Sequence, residues 1–138
     1  MQTVVDIVED RDQYFRMNKP NIIESKTYDF ALNTIRLCRY LIDEKKEYIL
    51  SKQLVRSGTS VGANVREAIH APTKKDFIYK MSIALKEIHE SQYWIQLIMD
   101  SEFAADKQQK FQVLQSNAIE IIALLTSIIK SSRVSLSN

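Results

Sequence analysis

A line of polar side chains runs through the middle of one predicted helix, in the segment QLVRSGTSVGANVRE at residues 53–67. At 100° per residue these side chains fall on one narrow stripe that borders the apolar line of the same helix. They are Gln53, Arg56 at the edge of the stripe, Ser57, Ser60, Asn64 and Glu67. Serine, asparagine and glycine in a helix interior each cost roughly 0.5 to 1 kcal/mol relative to alanine. The stripe therefore predicts hydrogen bonds to a neighbouring helix that compensate for this cost.

Carboxylate and imidazole side chains on helices could hold a di-iron centre. Such centres use a Glu-x-x-His motif from each of two helices and a glutamate from each of the other two. Glu67 and His70 supply one motif, and Glu87 or Glu90 could supply a further carboxylate. The second motif is missing, because a lysine stands three residues before His89. The incomplete ligand set predicts that the protein binds no metal or other cofactor.

The cysteine, serine and histidine side chains do not form a pattern typical of nucleophilic catalysis. Cys38 falls on an apolar line of the first predicted helix, as expected for a residue that fills the core. The serines lack the glycine-flanked turn between strand and helix that exposes a nucleophile. Neither of the two glycines opens a helix, so no phosphate-binding loop is predicted. We expect a protein that is not an enzyme and has no small-molecule substrate.

Two glutamates lie three residues apart on the third predicted helix and project from the same side. Glu87 and Glu90 need cationic or amide partners if they are partly buried. Arg56 and Asn64 on the preceding helix are suitable donors. Together with Glu67, these residues predict a polar network that fixes the register of packed helices.

The composition is that of one soluble domain. The chain has 138 residues, of which 45% are hydrophobic and 26% are charged, with two glycines and two prolines. So few turn residues argue against an all-β fold. The single cysteine, the absence of a signal-like N-terminus and the absence of an apolar run of about 18 residues predict a cytoplasmic protein without membrane contact.

Apolar periodicity predicts an all-α, antiparallel, up-down-up-down four-helix bundle over residues 21–133. Residues 1–20 form a leader with a short helix, which Pro20 separates from the first long helix. The first three expected helices span residues 22–45, 47–70 and 74–99. The fourth expected helix starts between residues 101 and 106. On the first helix, the predicted apolar line is Ala31, Ile35, Cys38 and Ile42, flanked by Phe30, Leu37 and Leu41. Thr73 and Asp76 predict a capping box, and residues 134–138 a frayed tail.

The amino-acid sequences of predicted helices two and three resemble those of a known family. The signatures are Gln-Leu-x-Arg-Ser and Ser-Val-Gly-Ala-Asn within residues 53–64, and Lys-Glu-x-x-Glu-x-x-Tyr-Trp at residues 86–94. From about Ile22 to Arg133 the chain looks like the four-helix bundle proteins encoded in intervening sequences of bacterial 23S rRNA genes. Members of that family and the related accessory proteins of diversity-generating retroelements assemble as homopentamers, so the resemblance implies a ring whose subunit interface the polar stripe could line. It implies no enzymatic activity.

Two features of the sequence favour self-association. The last helix carries isoleucine and leucine over more than a third of its circumference, and one chain is not expected to cover all of them. Gly58 and Gly62 would let another helix approach closely. We expect Gly62→Leu to destabilise the bundle or to shift its oligomeric state.

Basic residues on helices two and three predict contacts with RNA or a ribonucleoprotein. They are Lys52, Arg66, Lys74, Lys75, Lys80 and Lys86, with Tyr79, Tyr93 and Trp94 available for stacking. The net charge is only +2 per chain, although five copies would carry +10. The alternative is a scaffold that binds only proteins, and salt separates the two, since only phosphate contacts weaken steeply as salt rises.

Overall fold

The protein folds into four long helices, which a computed structural model describes over residues 11–137, with side-chain surroundings from residue 22 onward. The helices are α1 (Arg11–Lys45), α2 (Ile49–Ile69), α3 (Lys74–Ser101) and α4 (Gln108–Ser137), with a 3-10 turn at Ala105–Lys107 before α4. Each helix packs against its neighbours in the chain, and α1 also packs against α4. No strand occurs within these residues, so the prediction of an all-α fold is confirmed.

The first helix is longer than predicted. It begins at Arg11 and passes through Pro20, so the predicted break at this proline is wrong. A proline removes only its own N–H bond and disturbs one turn, which a long helix can tolerate as a local kink. Residues 11–20 of the predicted leader therefore belong to α1, whereas residues 1–10 lie outside the described part of the chain.

The buried face of α1 also differs from the prediction. It consists of Ile23, Thr27, Phe30, Thr34, Leu37, Cys38 and Leu41. Ile35 and Ile42, expected in the core, are 38% and 37% exposed. Thr27 can be buried because its hydroxyl donates to the carbonyl of Ile23 at 2.8 Å. An apolar pattern alone counts threonine as polar, so the predicted line lies to one side of the observed one, although its predicted flanking residues Phe30, Leu37 and Leu41 are buried.

Cys38 is fully buried, as predicted. Burial, with a further contribution from the charge of Glu47, raises the pKa of its thiol to about 12. The reactive thiolate is therefore scarce at neutral pH.

The apolar lines of the other three helices meet in one core, largely as predicted. Its members on these helices include Leu54, Val61, Val65, Ala68, Met81, Ala84, Ile88, Ile95, Phe111, Leu114, Ala118, Ile121 and Leu125. Phe77, Leu85 and Ile122 pack only at the margin of this core.

The last helix combines a buried line with an apolar composition. By length and composition, the segment Ala105–Ser137 could cross a membrane, which contradicts the expectation that no such apolar run exists. A core helix of a bundle meets the same criteria, and the line from Phe111 to Ile129 is buried against the other helices. The helix continues to Ser137, so the predicted frayed tail is helical but exposed. Hydroxyl groups support this last turn, since Ser137 donates to the carbonyl of Arg133 at 3.1 Å.

Side chains define where α2 and α3 begin. The hydroxyl of Thr73 accepts the N–H of Asp76 at 3.0 Å, as the predicted capping box requires. At the start of α2, the carboxylate of Glu47 accepts the N–H groups of Ile49, Leu50 and Ser51 at 3.1, 2.9 and 2.9 Å. Burial alone would raise the pKa of Glu47, but these hydrogen bonds outweigh it and hold the pKa below its usual value of 4.5.

The Glu47 cap predicts a pH-dependent contribution to stability. We expect Glu47→Gln to lower the free energy of unfolding by about 1 kcal/mol at pH 7. Because the folded state lowers this pKa, the contribution is present above pH 4.5 and is lost as the wild-type carboxylate becomes protonated. Urea denaturation at a series of pH values measures the difference between the two proteins.

Glu44→Gln is the matched control, because Glu44 is exposed near the end of α1. It should change the free energy of unfolding by less than about 0.5 kcal/mol. A deficit for Glu47→Gln that stays constant down to low pH would contradict a role for the carboxylate charge.

Candidate functional site

The two glycines of α2 lie against two threonines of α1. A Cβ atom added at Gly58 would lie 2.9 Å from Cγ2 of Thr34, and one added at Gly62 would lie 3.3 Å from the carbonyl oxygen of Thr27. The threonine positions are seven residues apart on α1, so both face α2. The close approach of the helices therefore requires glycine at position 58 and leaves little room for a side chain at position 62. Backbone conformation is not the reason, since neither glycine has a positive φ.

A pair of buried hydroxyl groups joins α2 to α3. The Oγ atoms of Ser57 and Ser91 lie 2.9 Å apart, and both side chains are fully buried. Ser91 also contacts the carbonyl of Glu87 at 3.0 Å, and Ser57 contacts that of Leu54 at 3.4 Å. Small side chains let the two helices approach closely while each hydroxyl keeps a hydrogen-bond partner.

Next to this pair, one arginine faces two glutamates. Arg56 forms a close ion pair with Glu90, and its Nη1 lies 3.6 Å from Oε1 of Glu87. The indole N–H of Trp94 donates to Glu90 at 3.0 Å. This hydrogen bond lowers the pKa of Glu90; burial acts in the opposite direction, and Arg56 adds to the lowering. Glu87 is only 8% exposed, so the guanidinium is the cation that offsets a nearly buried charge.

The rest of the predicted polar stripe does not join this cluster. Asn64 was predicted to donate hydrogen bonds to the glutamates of α3. Its amide instead donates within α2, to the carbonyl and hydroxyl oxygens of Ser60 at 2.9 and 3.1 Å. Eight residues at about 1.5 Å each separate it from Arg56, which places it too far along α2. Glu67 instead pairs with Lys80 at 2.7 Å, and Gln53 is half-buried one turn before Ser57. The predicted network is thus divided into separate contacts along the α2–α3 seam.

The Ser57–Ser91, Arg56–Glu90 and Glu67–Lys80 contacts each connect α2 to α3. Within residues 22–137, no group of three or more His, Cys, Asp or Glu side chains is placed to hold a metal ion. Ser91, Thr27 and Thr34 were missed by the sequence analysis. The seven-residue spacing of the threonines was a usable signal, whereas nothing in the sequence showed that Ser91 faces Ser57.

The segment that carries these contacts is matched to a protein family. The model of the 23S rRNA-intervening sequence protein family matches residues 19–127, which is most of the chain. The chain belongs to this family. A solved structure agrees, namely that of a protein of unknown function from the S23 ribosomal protein family of Bacteroides thetaiotaomicron. It is 42% identical with a TM-score of 0.77, and the match covers 81% of this chain and 98% of that one. No curated protein matches the chain significantly.

Most of the predicted RNA-contacting cations of this intervening-sequence protein already have partners. Arg66 pairs with Glu24 at 2.8 Å, and Lys80 pairs with Glu67. Lys86 lies 3.9 Å from Glu87, and Lys74 contacts the hydroxyl of Ser135 at 3.1 Å. The two others are exposed without a carboxylate partner in residues 22–137, namely Lys52 and Lys75. The predicted α2–α3 surface is therefore electrostatically mixed and not strongly basic.

The aromatic side chains near these cations differ in exposure. Tyr79 and Tyr93 are 63% and 57% exposed. Trp94 is half-buried and packs edge-on against Tyr93, with ring centroids 5.1 Å apart. Only the two tyrosines present a free ring surface on which a base could stack.

The face shared by α1 and α2 carries exposed apolar side chains of this family member. Ile35 and Ile42 are the α1 side chains that left the predicted core, and Tyr28, on the same side, is 57% exposed. Shallow depressions beside them are lined by Ala31, Val55, Thr59, Gly62 and Ala63. We call this surface the α1–α2 face.

Proposed function

We propose that this protein is a non-enzymatic, cytoplasmic binding module that assembles as a homopentameric ring and binds RNA or a ribonucleoprotein. The observation that carries the assembly is the α1–α2 face. Its centre is apolar, and charged residues lie at both ends, with Glu24 and Arg66 at one and Arg39 and Asp43 at the other. An apolar centre with a polar rim is the usual organisation of a protein interface.

The sequence pattern of α1 supports the same conclusion. Threonines occupy buried positions on this helix, while Ile35 and Ile42 remain more than a third exposed. Full burial of an exposed isoleucine side chain contributes about 1.5 to 3 kcal/mol, so covering the remaining third of each side chain with a second chain would contribute about 0.5 to 1 kcal/mol per residue. Of the polar stripe, Glu67 belongs to the lining of this surface, beside Arg66 at its charged end.

The RNA partner is supported by the family description and by charge. The description of the matching family names an intervening sequence of 23S rRNA. A ring of five chains, each with a net charge of +2, would carry +10 and attract a phosphate backbone.

A scaffold that binds only protein is the second candidate. It is favoured by the carboxylate partners of Arg66, Lys80 and Lys86, which neutralise half of the cations predicted to contact RNA. Such a scaffold would use apolar contacts and would respond little to salt.

Native mass spectrometry at low salt, with and without ribonuclease, tests the assembly and the partner together. We expect five chains of 16.0 kDa each, about 80 kDa, carrying extra mass that ribonuclease removes. Ile35→Glu should dissociate the ring, because a carboxylate would be buried at the interface without a partner. Ile119→Glu is the matched control, since Ile119 is 55% exposed on α4, and should leave the ring intact.

The outcomes separate the two parts of the proposal. A wild-type monomer, or an Ile35→Glu variant that stays assembled, would overturn assembly through the α1–α2 face. A pentamer without ribonuclease-sensitive mass would support the protein scaffold in place of RNA binding.

A further inference from the structure

A polar groove runs between α1 and α4 on the side of the bundle away from the α2–α3 seam. These two helices make fewer contacts than the other neighbouring pairs, and between them lies an open groove of about 580 Å³. Its polar lining consists of Asn33, Arg36, Gln109, Lys110 and Asn117. Its floor is apolar, formed by Leu37 and Leu114 with the exposed Val113 at the edge.

The cations of this groove are available to a ligand. No carboxylate belongs to the lining, and Asp29, one turn before Asn33, lies outside it. Within residues 22–137, Arg36 and Lys110 have no acidic partner; Arg36 donates only to the amide oxygen of Asn33, at 3.3 Å. This differs from the α2–α3 surface, where half of the predicted RNA-contacting cations have a carboxylate partner.

The acidic residues at the two ends of the groove are already neutralised. At one end Glu120 pairs with Lys26 at 3.0 Å. At the other end Asp106 accepts a close hydrogen bond from Tyr40 and pairs with Lys45 at 3.3 Å. Lys107 adds a second cation there, 5.0 Å from the centroid of the Tyr40 ring. Arg36 and Lys110 are therefore the charged side chains of the groove lining, and both are cationic.

The lining residues give the length of the groove. Gln109 and Asn117 are eight positions apart on α4, which corresponds to about 12 Å at 1.5 Å per residue. At about 3.4 Å per stacked nucleotide, this length matches about three to four nucleotides. Neighbouring helices pack with axes about 8–10 Å apart, so the cleft between them suits a single strand and is too narrow for a duplex.

We propose that the groove between α1 and α4 binds the phosphate backbone of single-stranded RNA. Arg36 and Lys110 contact phosphate oxygens, and the amides of Asn33, Gln109 and Asn117 hydrogen-bond to sugar or base edges. An arginine fork and a lysine ammonium suit phosphate oxygens, and carboxamides both donate and accept hydrogen bonds. This inference rests on the proposed RNA-binding function and places the contact on a different face from the cations of α2 and α3.

Fluorescence anisotropy with a labelled twelve-nucleotide oligouridylate tests the groove. The full chain is compared with Arg36→Glu/Lys110→Glu and with the control Lys52→Glu/Lys75→Glu, which makes the same charge change at the exposed lysines of α2 and α3. We expect the groove variant to lose at least tenfold in affinity and the control less than threefold. The slope of log affinity against log salt should fall by about 1.4 in the groove variant, because two phosphate contacts at about 0.7 each are removed.

Two additions make the result specific. The neutral variant Arg36→Gln/Lys110→Gln should show a smaller loss in the same direction, and circular dichroism and native mass should match the wild type for every variant compared. Inorganic phosphate at millimolar concentration should compete poorly, since one anion reaches only part of the groove.

Each outcome bears on a different claim. If the groove and control variants lose affinity equally, the groove inference is wrong while RNA binding stands. If inorganic phosphate binds as tightly as the oligonucleotide, the groove is an anion site and not an RNA site. If the wild type binds no oligonucleotide even at low salt, the proposed RNA-binding function fails together with the groove.

Discussion

Replacing Gly58 with leucine is expected to lower the free energy of unfolding by about 3 kcal/mol. A Cβ atom at this position would already lie 2.9 Å from Cγ2 and 3.1 Å from Oγ1 of Thr34. Thr34 is fully buried and β-branched, so it cannot rotate away at low cost. The larger side chain would therefore separate α1 from α2. Urea denaturation followed by circular dichroism measures the change.

Two comparisons show whether the close helix contact is the cause. Lys52→Leu introduces the same side chain at an exposed position of α2 and should change stability by less than about 0.5 kcal/mol. Thr34→Ala/Gly58→Ala should be more stable than Gly58→Ala alone, because deletion of Cγ2 and Oγ1 makes room for the new methyl group. If Gly58→Leu unfolds at the wild-type urea concentration, the helices do not depend on this contact.

Arg56→Ala has the second largest expected effect, a loss of about 2 kcal/mol. The substitution leaves Glu87, whose side chain is 10% exposed, without the cation that faces it across the α2–α3 seam. It also removes the close ion pair with Glu90. The expected loss is below that for a fully buried pair, because the Arg56 side chain is itself 52% exposed and partly screened by water. Thermal and urea denaturation at pH 7 measure it.

A charge-neutral second substitution tests the reason for this loss. Glu87→Gln should recover part of the stability of Arg56→Ala, because it removes the buried charge while preserving shape. Since the pKa of Glu90 is lowered in the folded state, the Arg56 contribution should decrease as pH falls below the ordinary carboxyl value of 4.5. Arg133→Ala, an exposed arginine on α4, is the control and should change little. A deficit that Glu87→Gln does not relieve would show that the uncompensated charge of Glu87 is not the cause of the loss.

Together these two predictions distinguish the contact of α2 with α1 from its contact with α3. At Gly58 the absence of a side chain lets α1 approach closely, whereas Arg56 forms ion pairs with glutamates of α3. If both are correct, the family signature around residues 53–67 stabilises the subunit. The α1–α2 face and the α1–α4 groove are the surfaces that we propose for assembly and for a ligand.

The sequence by itself determined the number of helices, most of their ends and most of the core. These features depend on short-range physics. Apolar residues repeat at helical spacing on α3 and α4, and Cys38 lies on an apolar line. Thr73 caps α3 by accepting the N–H of the residue three positions later. The polar stripe was also visible, because its members share one face of a single helix.

Only the tertiary structure decided which of these residues meet. Thr27 and Thr34 are buried because they lie opposite the glycines of α2. With the threonines turned towards α2, Ile35 lies on a more exposed side of α1. Arg56 reaches Glu90 while Asn64 does not, since their positions along α2 place them opposite different turns of α3. The groove between Arg36 and Lys110 joins residues 74 positions apart, which no local pattern relates. Periodicity assigns residues to a face of their own helix, whereas register and side-chain contact between helices arise only when all four pack together.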